Sequence, residues 1–334
     1  MLYEKVLELG NVDFTDTSNF SHEEWLKLRT TGIGGSDAGA LMGLNKYATP
    51  LSVFLSKKNL SSFQGNKATE WGNILEDPVR QKAREELQIE IETVPGMFTN
   101  KVHTFMNANF DGLVFVEGEK EIAGEVVSGL GGHEIKTSRT GDGFSDNEIP
   151  DSYYAQVQHY MAVTGLTFFI LSVFIIDRYE GRHYVVKRNE DFIIDLMHSE
   201  SEFWNDFVLE NKAPAPTGNE NEFDLIKNLP MSEQVELGED CVELFETRDF
   251  LDMQIKDLTA QLNQVKEKLI IKIHNASNSE SDKVIATCRN WKLTLTTQLS
   301  NRVDTSALKK AGLYDKFSKQ SVSKVLRFSK EAAL

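Results

Sequence analysis

The stretch of sequence that decides the fold is FDGLVFVEGEKEIAGEVVSGLGGHEIK, residues 110–136. Asp111 stands just before an apolar run at residues 113–116, which predicts a buried strand. Glu134 and Lys136 are two positions apart, so on a strand their side chains project from one face while Ile135 packs behind them. The stretch therefore predicts adjacent strands that bring two acids and a lysine together.

Such a trio is typical of metal-dependent nucleases. Carboxylates are hard oxygen ligands for Mg²⁺, which keeps several waters and binds substrate phosphate. A lysine beside them orients or helps to deprotonate a metal-bound water and offsets phosphate charge. A Glu-x-Lys pattern alone is common, and the alternative is an edge-strand ion pair without chemistry. The motifs around these three residues are what favours the catalytic interpretation over the ion pair.

Composition indicates a soluble globular protein. The chain has 334 residues, of which 40% are hydrophobic and 26% charged, enough for one large or two ordinary domains. Its two cysteines, Cys241 and Cys288, argue against a disulfide framework and against a four-cysteine zinc or iron–sulfur site.

No targeting segment is expected. The first ten residues carry Glu4, Lys5 and Glu8 and do not resemble a secretory signal. The longest largely apolar stretch, residues 166–176, is too short to span a membrane. We therefore expect a cytoplasmic protein, in a bacterial host cell if a phage encodes it.

The net charge of −15 at pH 7 argues against a general nucleic-acid binder. The charge is unevenly distributed, because residues 301–334 hold eight basic and three acidic side chains. A nuclease also needs acids in its site, and a narrow basic lining is compatible with an acidic exterior. The charge lowers the expectation of DNA binding without excluding it.

The first part of the chain contains a candidate phosphate site. Residues 1–20 have an irregular pattern and are expected to be a flexible lead-in. Ser21 and Glu24 have the spacing of a capping box, so a helix follows through Arg29. The glycine-rich turn at residues 31–37 then leads into a short helix, and its backbone amides, with Arg29 and Ser36, could hold an anion. The alternative is an ordinary connection between two helices.

The segment Lys67–Leu87 has helical periodicity. Its predicted buried face repeats every four residues: Trp71, Leu75, Val79, Ala83 and Leu87. Pro78 predicts a kink or a new helix start at that point. Glu76 lies beside the stripe, where an acid is usually solvated or paired but could also lean over a metal site.

The pattern then changes to a period of two from residue 89 to residue 136, which predicts successive strands. A helix over residues 153–161, an apolar strand over 168–176, its hairpin partner over 181–187 and a helix over 190–209 follow. This order of helices and strands predicts an α/β core of the α+β type, with a mixed sheet.

The end of this core is predicted at Pro216, after the sequence Ala213-Pro214-Ala215-Pro216. Residues 1–216 form the expected first domain, 217–231 a linker and 232–334 an accessory module. The module contains a heptad pattern, a β-hairpin near residues 284–298, a short helix near 305–311, a strand near 321–328 and a basic tail. The heptads fit a coiled coil and a helix packed on its own domain equally well.

Together these motifs resemble the YqaJ and lambda-exonuclease branch of the PD-(D/E)XK nucleases, the phage recombination exonucleases. The likeness covers residues 21–216 and rests on several motifs in the family's order: residues 25–29, 32–37, 71–76, 111–113, 134–136 and 154–158. The resemblance implies a PD-(D/E)XK restriction-endonuclease-like core with a C-terminal helical and β-hairpin extension. Two cysteines cannot supply the cluster of the related iron–sulfur exonucleases.

The resemblance also implies residue roles. Asp111 and Glu134 ligate Mg²⁺, or Mn²⁺ as a substitute, with help from the Ile135 carbonyl. Lys136 positions the attacking water, and Glu76 is an outer metal ligand or general base. The remaining implied roles belong to Gln156, which helps to hold Lys136 and the site, and to Arg29 and Ser36, which grip the 5′-phosphate.

Two departures from the family pattern put parts of this assignment in doubt. Asp111 and Glu134 are 23 residues apart, farther than in lambda exonuclease, and the excursion between them leaves Glu125 as a rival acid. Asn109 stands where lambda exonuclease has a serine in its phosphate pocket.

The expected activity is Mg²⁺-dependent digestion of one strand of linear double-stranded DNA, 5′ to 3′. It would leave 3′ single strands for an annealing protein, and the resemblance implies a homo-oligomer, with a ring as one form. One alternative is an endonuclease or repair nuclease on the same fold. Another is a non-catalytic DNA-binding assembly protein that uses the heptad helix.

Overall fold

The computed structural model describes residues 1–60, 67–226, 229, 236–276, 283–297 and 304–318. It divides into two compact units that meet in sequence between Leu229 and Pro230. Within the described residues, no helix is both long and apolar enough to cross a membrane.

The first unit contains mixed helices and strands. Its helices are α1 (Leu2–Glu8), α2 (His22–Arg29), α3 (Gly35–Leu41), α4 (Pro50–Lys57), α5 (Lys67–Leu87), α6 (Asp151–Thr164), α7 (Glu190–Glu202) and α8 (Glu220–Ile226). Its strands are β1 (Val12–Asp16), β2 (Ile33–Gly34), β3 (Ile91–Glu92), β4 (Gly96–Asn100), β5 (Met106–Ala108), β6 (Gly112–Ile122), β7 (Glu125–Ser138), β8 (Phe168–Ile175) and β9 (Glu180–Lys187). The α/β core with a mixed sheet expected from the sequence is confirmed.

The larger sheet has the strand order β3-β6-β7-β8-β9. Strand β7 lies at its centre, antiparallel to β6 and parallel to β8. A second sheet, in the order β1-β4-β5-β2, is also mixed, because β2 runs parallel to β5 while the other pairs are antiparallel. Strand β7 is thus fixed on both edges, which suits it to carry a site.

Helices α5 and α6 cover opposite faces of the larger sheet. Side chains alternate along β8, and Ile170 packs in one cluster with Ala83 of α5. The neighbouring Phe169 packs in another cluster with Val157 and Met161 of α6. Both faces are buried, which explains why β8 is a continuous apolar run in the sequence.

The predicted strands between residues 112 and 138 are joined into one long hairpin. Strand β6 extends to Ile122 and β7 starts at Glu125, with a register shift between Val116 and Lys120. The long gap between Asp111 and Glu134 is therefore accommodated by lengthening the hairpin and bulging it, since a bulge inserts residues without changing the pairing beyond it.

The expectation of an irregular lead-in at residues 1–20 is wrong. This segment forms α1 and β1, with Val6 and Val12 fully buried. The reason is a long-range pairing, because β1 pairs with β4, whose residues lie far along the chain. Tertiary pairing of this kind leaves no local periodicity to read.

Of the kink or new helix start expected at Pro78, the new start is wrong, since α5 runs through the proline as one helix. Proline removes one main-chain donor, and tertiary contacts elsewhere on α5 hold the helix together. Those contacts include the packing of Ala83 against the larger sheet.

The boundary expected at Pro216 falls inside the first unit. Helix α8 lies in the predicted linker, and Glu222 on it is buried and accepts hydrogen bonds from Thr49 and Thr217. The first unit therefore extends to Leu229.

The described residues of the second unit form one long helix, a hairpin and two short helices. They are α9 (Val242–Ala276), β10 (Lys283–Cys288), β11 (Trp291–Thr296), α10 (Thr305–Lys310) and α11 (Tyr314–Phe317). The heptad helix, the hairpin and the helix near residue 305 are as predicted, and the strand predicted near 321–328 lies outside the described residues.

A buried ion pair joins α6 to α7. His159 and Glu200 are both fully buried, with 2.7 Å between Nδ1 and Oε1. The Nε2 atom of His159 lies 2.9 Å from the Asn107 carbonyl oxygen. Burial lowers the pKa of His159, but the Glu200 carboxylate outweighs it, so the pKa lies above its ordinary value of 6.5.

Replacing Glu200 should therefore destabilise the first unit in a pH-dependent way. We expect Glu200→Ala to lower the free energy of unfolding at pH 6 by about 3–5 kcal/mol, because it leaves a buried histidine without its counter-charge. The folded-state pKa of His159 is raised, so the pair's contribution is complete below the unfolded pKa and is lost as pH rises through the folded-state pKa. The difference in free energy of unfolding between Glu200→Ala and wild type should therefore shrink as the pH rises.

Urea denaturation between pH 6 and pH 9 measures this difference. The matched control is Glu202→Ala on the same helix, whose exposed pair with His198 should contribute less than about 1 kcal/mol. Equal losses for the two variants, or a loss at Glu200 that grows with pH, would contradict the assignment.

Candidate active site

The two predicted acids meet where β6 and β7 pair. Asp111 directly precedes β6, and the register places Gly112 opposite His133, so Asp111 comes beside Glu134. The Ile135 main-chain N–H donates to Asp111 Oδ2 over 2.6 Å. This hydrogen bond fixes the Asp111 carboxylate against the strand that carries Glu134.

Within the described residues, one carboxylate oxygen of Glu134 accepts hydrogen bonds and the other does not. Its Oε1 accepts hydrogen bonds from Lys136 Nζ at 2.6 Å and from Gln156 Nε2 at 2.8 Å. Its Oε2 is buried and has no hydrogen-bond partner among the described residues. A buried carboxylate oxygen without a donor is costly in a protein but suits a bound cation.

The charges of the site are not balanced by the protein alone. Burial raises the pKa of Asp111 well above its ordinary value, and the neighbouring Glu134 charge adds to the effect. Burial also raises the pKa of Glu134, although Lys136 opposes it. Burial lowers the pKa of Lys136, but the two carboxylates outweigh it and the pKa lies above its usual value. Two buried acids thus share one lysine, and a divalent cation held by Asp111 and Glu134 would supply the missing positive charge.

Glu76 lies near this pair but outside it. It is on α5, where its carboxylate pairs with Arg80, and its charge contributes to the raised pKa of both Asp111 and Glu134. Among the described residues, no group of three or more acidic, histidine or cysteine side chains is arranged to hold a metal ion. Glu76 must therefore leave Arg80 before it can serve as the outer ligand or base expected from the resemblance.

Gln156 contacts the site through Glu134. Its Nε2 donates to Glu134 Oε1, the oxygen that also accepts from Lys136, and, at 2.8 Å, to the Tyr160 hydroxyl. Lys136 Nζ lies 4.9 Å from the centre of the Tyr153 ring, so a cation–π contact also supports it. Helix α6 thus positions both members of the Glu-x-Lys motif, through different residues.

The predicted phosphate pair is also assembled. Arg29 Nη2 donates to Ser36 Oγ over 2.9 Å, and the guanidinium lies 4.9 Å from the Trp25 ring centre. A cavity of about 200 Å³ has both members of this pair and both acids in its wall, as well as Asn109 and Tyr160. The phosphate pair and the acid pair therefore open into the same cavity.

The structure shows the contacts of Asn109 and Glu125, the two residues at which the sequence departs from the family pattern. The Asn109 amide lines the cavity but donates to the Gly96 carbonyl oxygen at 2.9 Å, so its nitrogen is already engaged. Glu125, the rival acid, lies at the other end of β7 and pairs with Lys187 at 2.6 Å. The structure brings Glu134, and not Glu125, to Asp111.

A buried lysine that the sequence analysis missed holds the glycine-rich turn. Lys57 Nζ lies 3.0 Å from the Arg29 carbonyl oxygen and 2.6 Å from Asp37 Oδ2. Asp37 Oδ2 also accepts a hydrogen bond from the Gly34 N–H at 3.0 Å. The side chains of Lys57 and Asp37 together therefore fix both ends of the turn. The signal was present, because Lys57 lies three and four residues after the buried Phe54 and Val53 on one helix face.

Glycine is required where this turn rests on α6. A side chain at Gly35 would collide with the ring of Tyr160, so only glycine allows the close approach. Burial raises the pKa of Asp37, but Lys57 and Arg29 outweigh it and the pKa lies below its ordinary value. Asp37 is therefore ionised at neutral pH, and its ion pair with Lys57 holds the turn in place.

Comparisons with known proteins bear on the family resemblance. Residues 24–167 match the family model of the YqaJ-like viral recombinase domain. The Bacillus subtilis (strain 168) protein named Uncharacterized protein YqaJ is 28% identical, over 91% of this chain and 93% of its own length. The family resemblance drawn from the sequence motifs is confirmed.

Solved structures with similar folds were also found. The alkaline exonuclease LHK-Exo from Laribacter hongkongensis is 19% identical, with a TM-score of 0.41 over 56% of this chain and 93% of its own. A phage related exonuclease from Haemophilus somnus 129PT is 14% identical, with a TM-score of 0.39 over 56% of this chain and 100% of its own.

The unbalanced acids lead to a stability prediction. In EDTA at pH 7.5, Asp111→Asn should unfold at a higher temperature than wild type, because it removes one of two mutually repelling buried charges while asparagine can still accept from Ile135. Each 1 kcal/mol gained corresponds to roughly 2–4 °C. With millimolar Mg²⁺ or Mn²⁺, wild type should gain stability by mass action and Asp111→Asn should gain much less.

Thermal unfolding with and without the cation measures both effects. The matched control is Asp146→Asn, whose side chain is 98% exposed. An Asp111→Asn protein that is less stable than wild type in EDTA, yet gains as much from the cation, would contradict the electrostatic assignment.

Proposed function

We propose that this chain, which carries a YqaJ-like viral recombinase domain over residues 24–167, digests one strand of linear double-stranded DNA from 5′ to 3′ with a divalent cation. The family match supports a DNA exonuclease as the general class of enzyme. The observation that carries the finer proposal is the single cavity whose wall holds both the acid pair and the Arg29–Ser36 pair.

Asp111 and Glu134 would hold the cation, which we propose to be Mg²⁺ with Mn²⁺ as a substitute. The unpartnered Oε2 of Glu134 supports this role, and the Ile135 carbonyl and Glu76 are the further candidates for inner and outer contacts. A bound Mg²⁺ would activate water and stabilise the leaving 3′-oxygen.

The chain's own residues prepare the site for that chemistry. Lys136, which pairs with Glu134 at 2.6 Å, offsets charge on the scissile phosphate and orients the attacking water. Gln156 fixes the Glu134 carboxylate so that Oε1 stays with Lys136 and Oε2 stays available. Preorganisation of this kind avoids reorganising the site during the reaction.

Recognition of a 5′ end is assigned to Arg29 and Ser36. A terminal phosphate carries about −1.5 to −2 charges, whereas a phosphodiester carries one, so a guanidinium and a hydroxyl favour the terminus. Because the acid pair lines the same cavity, a terminus held by Arg29 would place a nearby phosphodiester at Glu134. This arrangement supports 5′ to 3′ exonuclease action over the endonuclease or repair nuclease alternative.

The product would be a 3′ single strand, which we propose is passed to a single-strand annealing protein. Homo-oligomers are part of the proposal, with a ring as one form. A ring would place the Arg29 side chain of each copy towards the DNA while the acidic surface, which gives the chain its charge of −15, faces outward.

A non-catalytic DNA-binding protein would not explain why the fold keeps two neighbouring acids that lower its stability. A DNA-binding assembly protein gains nothing from two neighbouring acids whose pKa values are both raised by burial. Stored electrostatic strain of this kind is typical of functional sites.

Cleavage should depend on Glu134. We expect Glu134→Gln to lower Mg²⁺-dependent digestion of linear duplex by about 100-fold or more, because a lost metal ligand removes several kcal/mol of transition-state stabilisation. The amide retains the shape of the side chain and an acceptor for Lys136.

Release of nucleotides from labelled duplex, with and without Mg²⁺, measures this loss. Glu125→Gln is the matched control, since Glu125 lies on the same strand and pairs with Lys187 outside the cavity. If Glu125→Gln abolished digestion and Glu134→Gln did not, the metal site would have to be reassigned.

End selection should depend on Arg29. Arg29→Ala should slow digestion of 5′-phosphorylated duplex by about 10–100-fold, since a hydrogen bond to a charged group contributes about 1.5–3 kcal/mol. Digestion of 5′-hydroxyl duplex should change far less.

The comparison uses the two substrates in parallel, with Arg139→Ala as the control because Arg139 is 83% exposed. A covalently closed circle should resist the wild-type enzyme. Equal losses on the two ends would return Arg29 to a structural role, and cleavage of the circle would favour an endonuclease.

A further inference from the structure

Helix α9 carries an apolar seam that the other described elements of the second unit leave uncovered. The helix has 35 residues and is about 52 Å long. Seven side chains form what we call the α9 seam, and they are 38–69% exposed: Leu244, Leu251, Ile255, Leu258, Leu262, Val265 and Leu269. Such an exposed row is unfavourable in water unless another surface covers it.

The spacing of the seam indicates the kind of surface that fits. Leu244, Leu251, Leu258 and Val265 recur every seven residues, and the other three side chains follow at a spacing of four. This is the two-position repeat of a coiled coil. A second helix with the same repeat is the surface that matches it.

We propose that the α9 seam binds the α9 seam of a second copy of this chain, with the two helices antiparallel. In the register with the greatest overlap, a two-fold axis passes between Leu258 and Leu262. Leu258 then packs on Leu262 of the second copy, Ile255 on Val265 and Leu251 on Leu269, and each layer occurs twice.

Charges beside the seam select this register. Asp252 and Lys266 occupy equivalent flanking positions, two heptads apart, and both are exposed. In the antiparallel register Asp252 faces Lys266 of the second copy on both sides of the axis, and Phe245 faces Ile273 in the same way. A slip of one heptad would place Asp252 opposite Thr259 or Ile273 and lose the charge pair.

The parallel arrangement offers no comparable match. Its flanking pairs would join Gln254 to Thr259, Gln261 to Lys266 and Lys268 to Ile273, and none of these unites opposite charges. Charge pairs at such positions set partner orientation in coiled coils, so their absence disfavours the parallel form.

Two charged layers near the ends do not choose between the directions. Arg248 and Lys272 fall on the seam positions, and like charges face each other there in either orientation. Arg248 already pairs with Asp249 at 2.9 Å and with Asp252 at 2.7 Å on its own helix. These layers confine the apolar contact to the part of the helix between them.

The first experiment measures mass by light scattering on the full chain at micromolar concentration. Wild type should have at least twice the single-chain mass of 37.7 kDa. Leu258→Glu/Leu262→Glu should halve the wild-type mass, because four carboxylates would meet at the axis. The matched control Ala260→Glu/Gln264→Glu adds the same two charges on the outer face of α9 and should leave the mass unchanged.

Several results would overturn the proposal. They are a monomeric wild type, a mass unaffected by Leu258→Glu/Leu262→Glu, and equal effects of the two double variants. If the seam variant kept its mass but lost thermal stability, the seam would cover the chain's own first unit. DNA digestion is scored separately, since the seam lies outside the residues assigned to cleavage and its failure would not bear on them.

The second experiment fixes the direction of the helices. In a Cys241→Ser/Cys288→Ser background, Thr259→Cys should form a disulfide-linked dimer under mild oxidation, because the two thiols meet beside the axis. Ile273→Cys should not, since its two copies would be about 42 Å apart. Equal yields of linked dimer at the two positions, or a higher yield at 273, would overturn the antiparallel arrangement.

Discussion

Two neighbouring carboxylates that share one lysine are the constraint on which the first unit depends. Burial raises the pKa of both Asp111 and Glu134, the Glu134 charge raises that of Asp111 further, and Lys136 pairs with Glu134 alone. Such a pair costs free energy in a folded chain, because burial penalises each charge and proximity penalises both. The fold must therefore hold the pair in place by contacts that do not involve the charges themselves.

Those contacts come from the position of β7. Its neighbours β6 and β8 pair with it along both edges, and helices α5 and α6 pack against the two faces of the sheet. The carboxylates themselves receive the Ile135 N–H and the Gln156 amide. A central strand is the part of a sheet with the least freedom to open, so the strain at the site is absorbed without local unfolding.

The sequence reveals the site more readily than the scaffold around it. Asp111, Glu134 and Lys136 could be predicted because strand alternation is local and the acids interrupt apolar runs. The pairing of β1 with β4 and the ion pair between Lys57 and Asp37 could not be predicted, because each joins residues that are distant in sequence. Local periodicity predicts which face a residue occupies, but it does not predict which distant residue meets it.

The same structure reconciles an acidic chain with a nucleic-acid substrate. Surface charges farther away than the Debye length, about 8 Å at physiological ionic strength, are largely screened, so a phosphate in the cavity responds mainly to its nearest neighbours. Those neighbours include the Arg29 guanidinium and the carboxylates of Asp111 and Glu134, whose charge a bound cation would offset, with Lys57 behind the turn. Lys57 neutralises Asp37, so the positive charge of Arg29 is left to face the cavity. A negatively charged surface then affects how fast DNA arrives, while the local field at the cavity determines what is held once it is there.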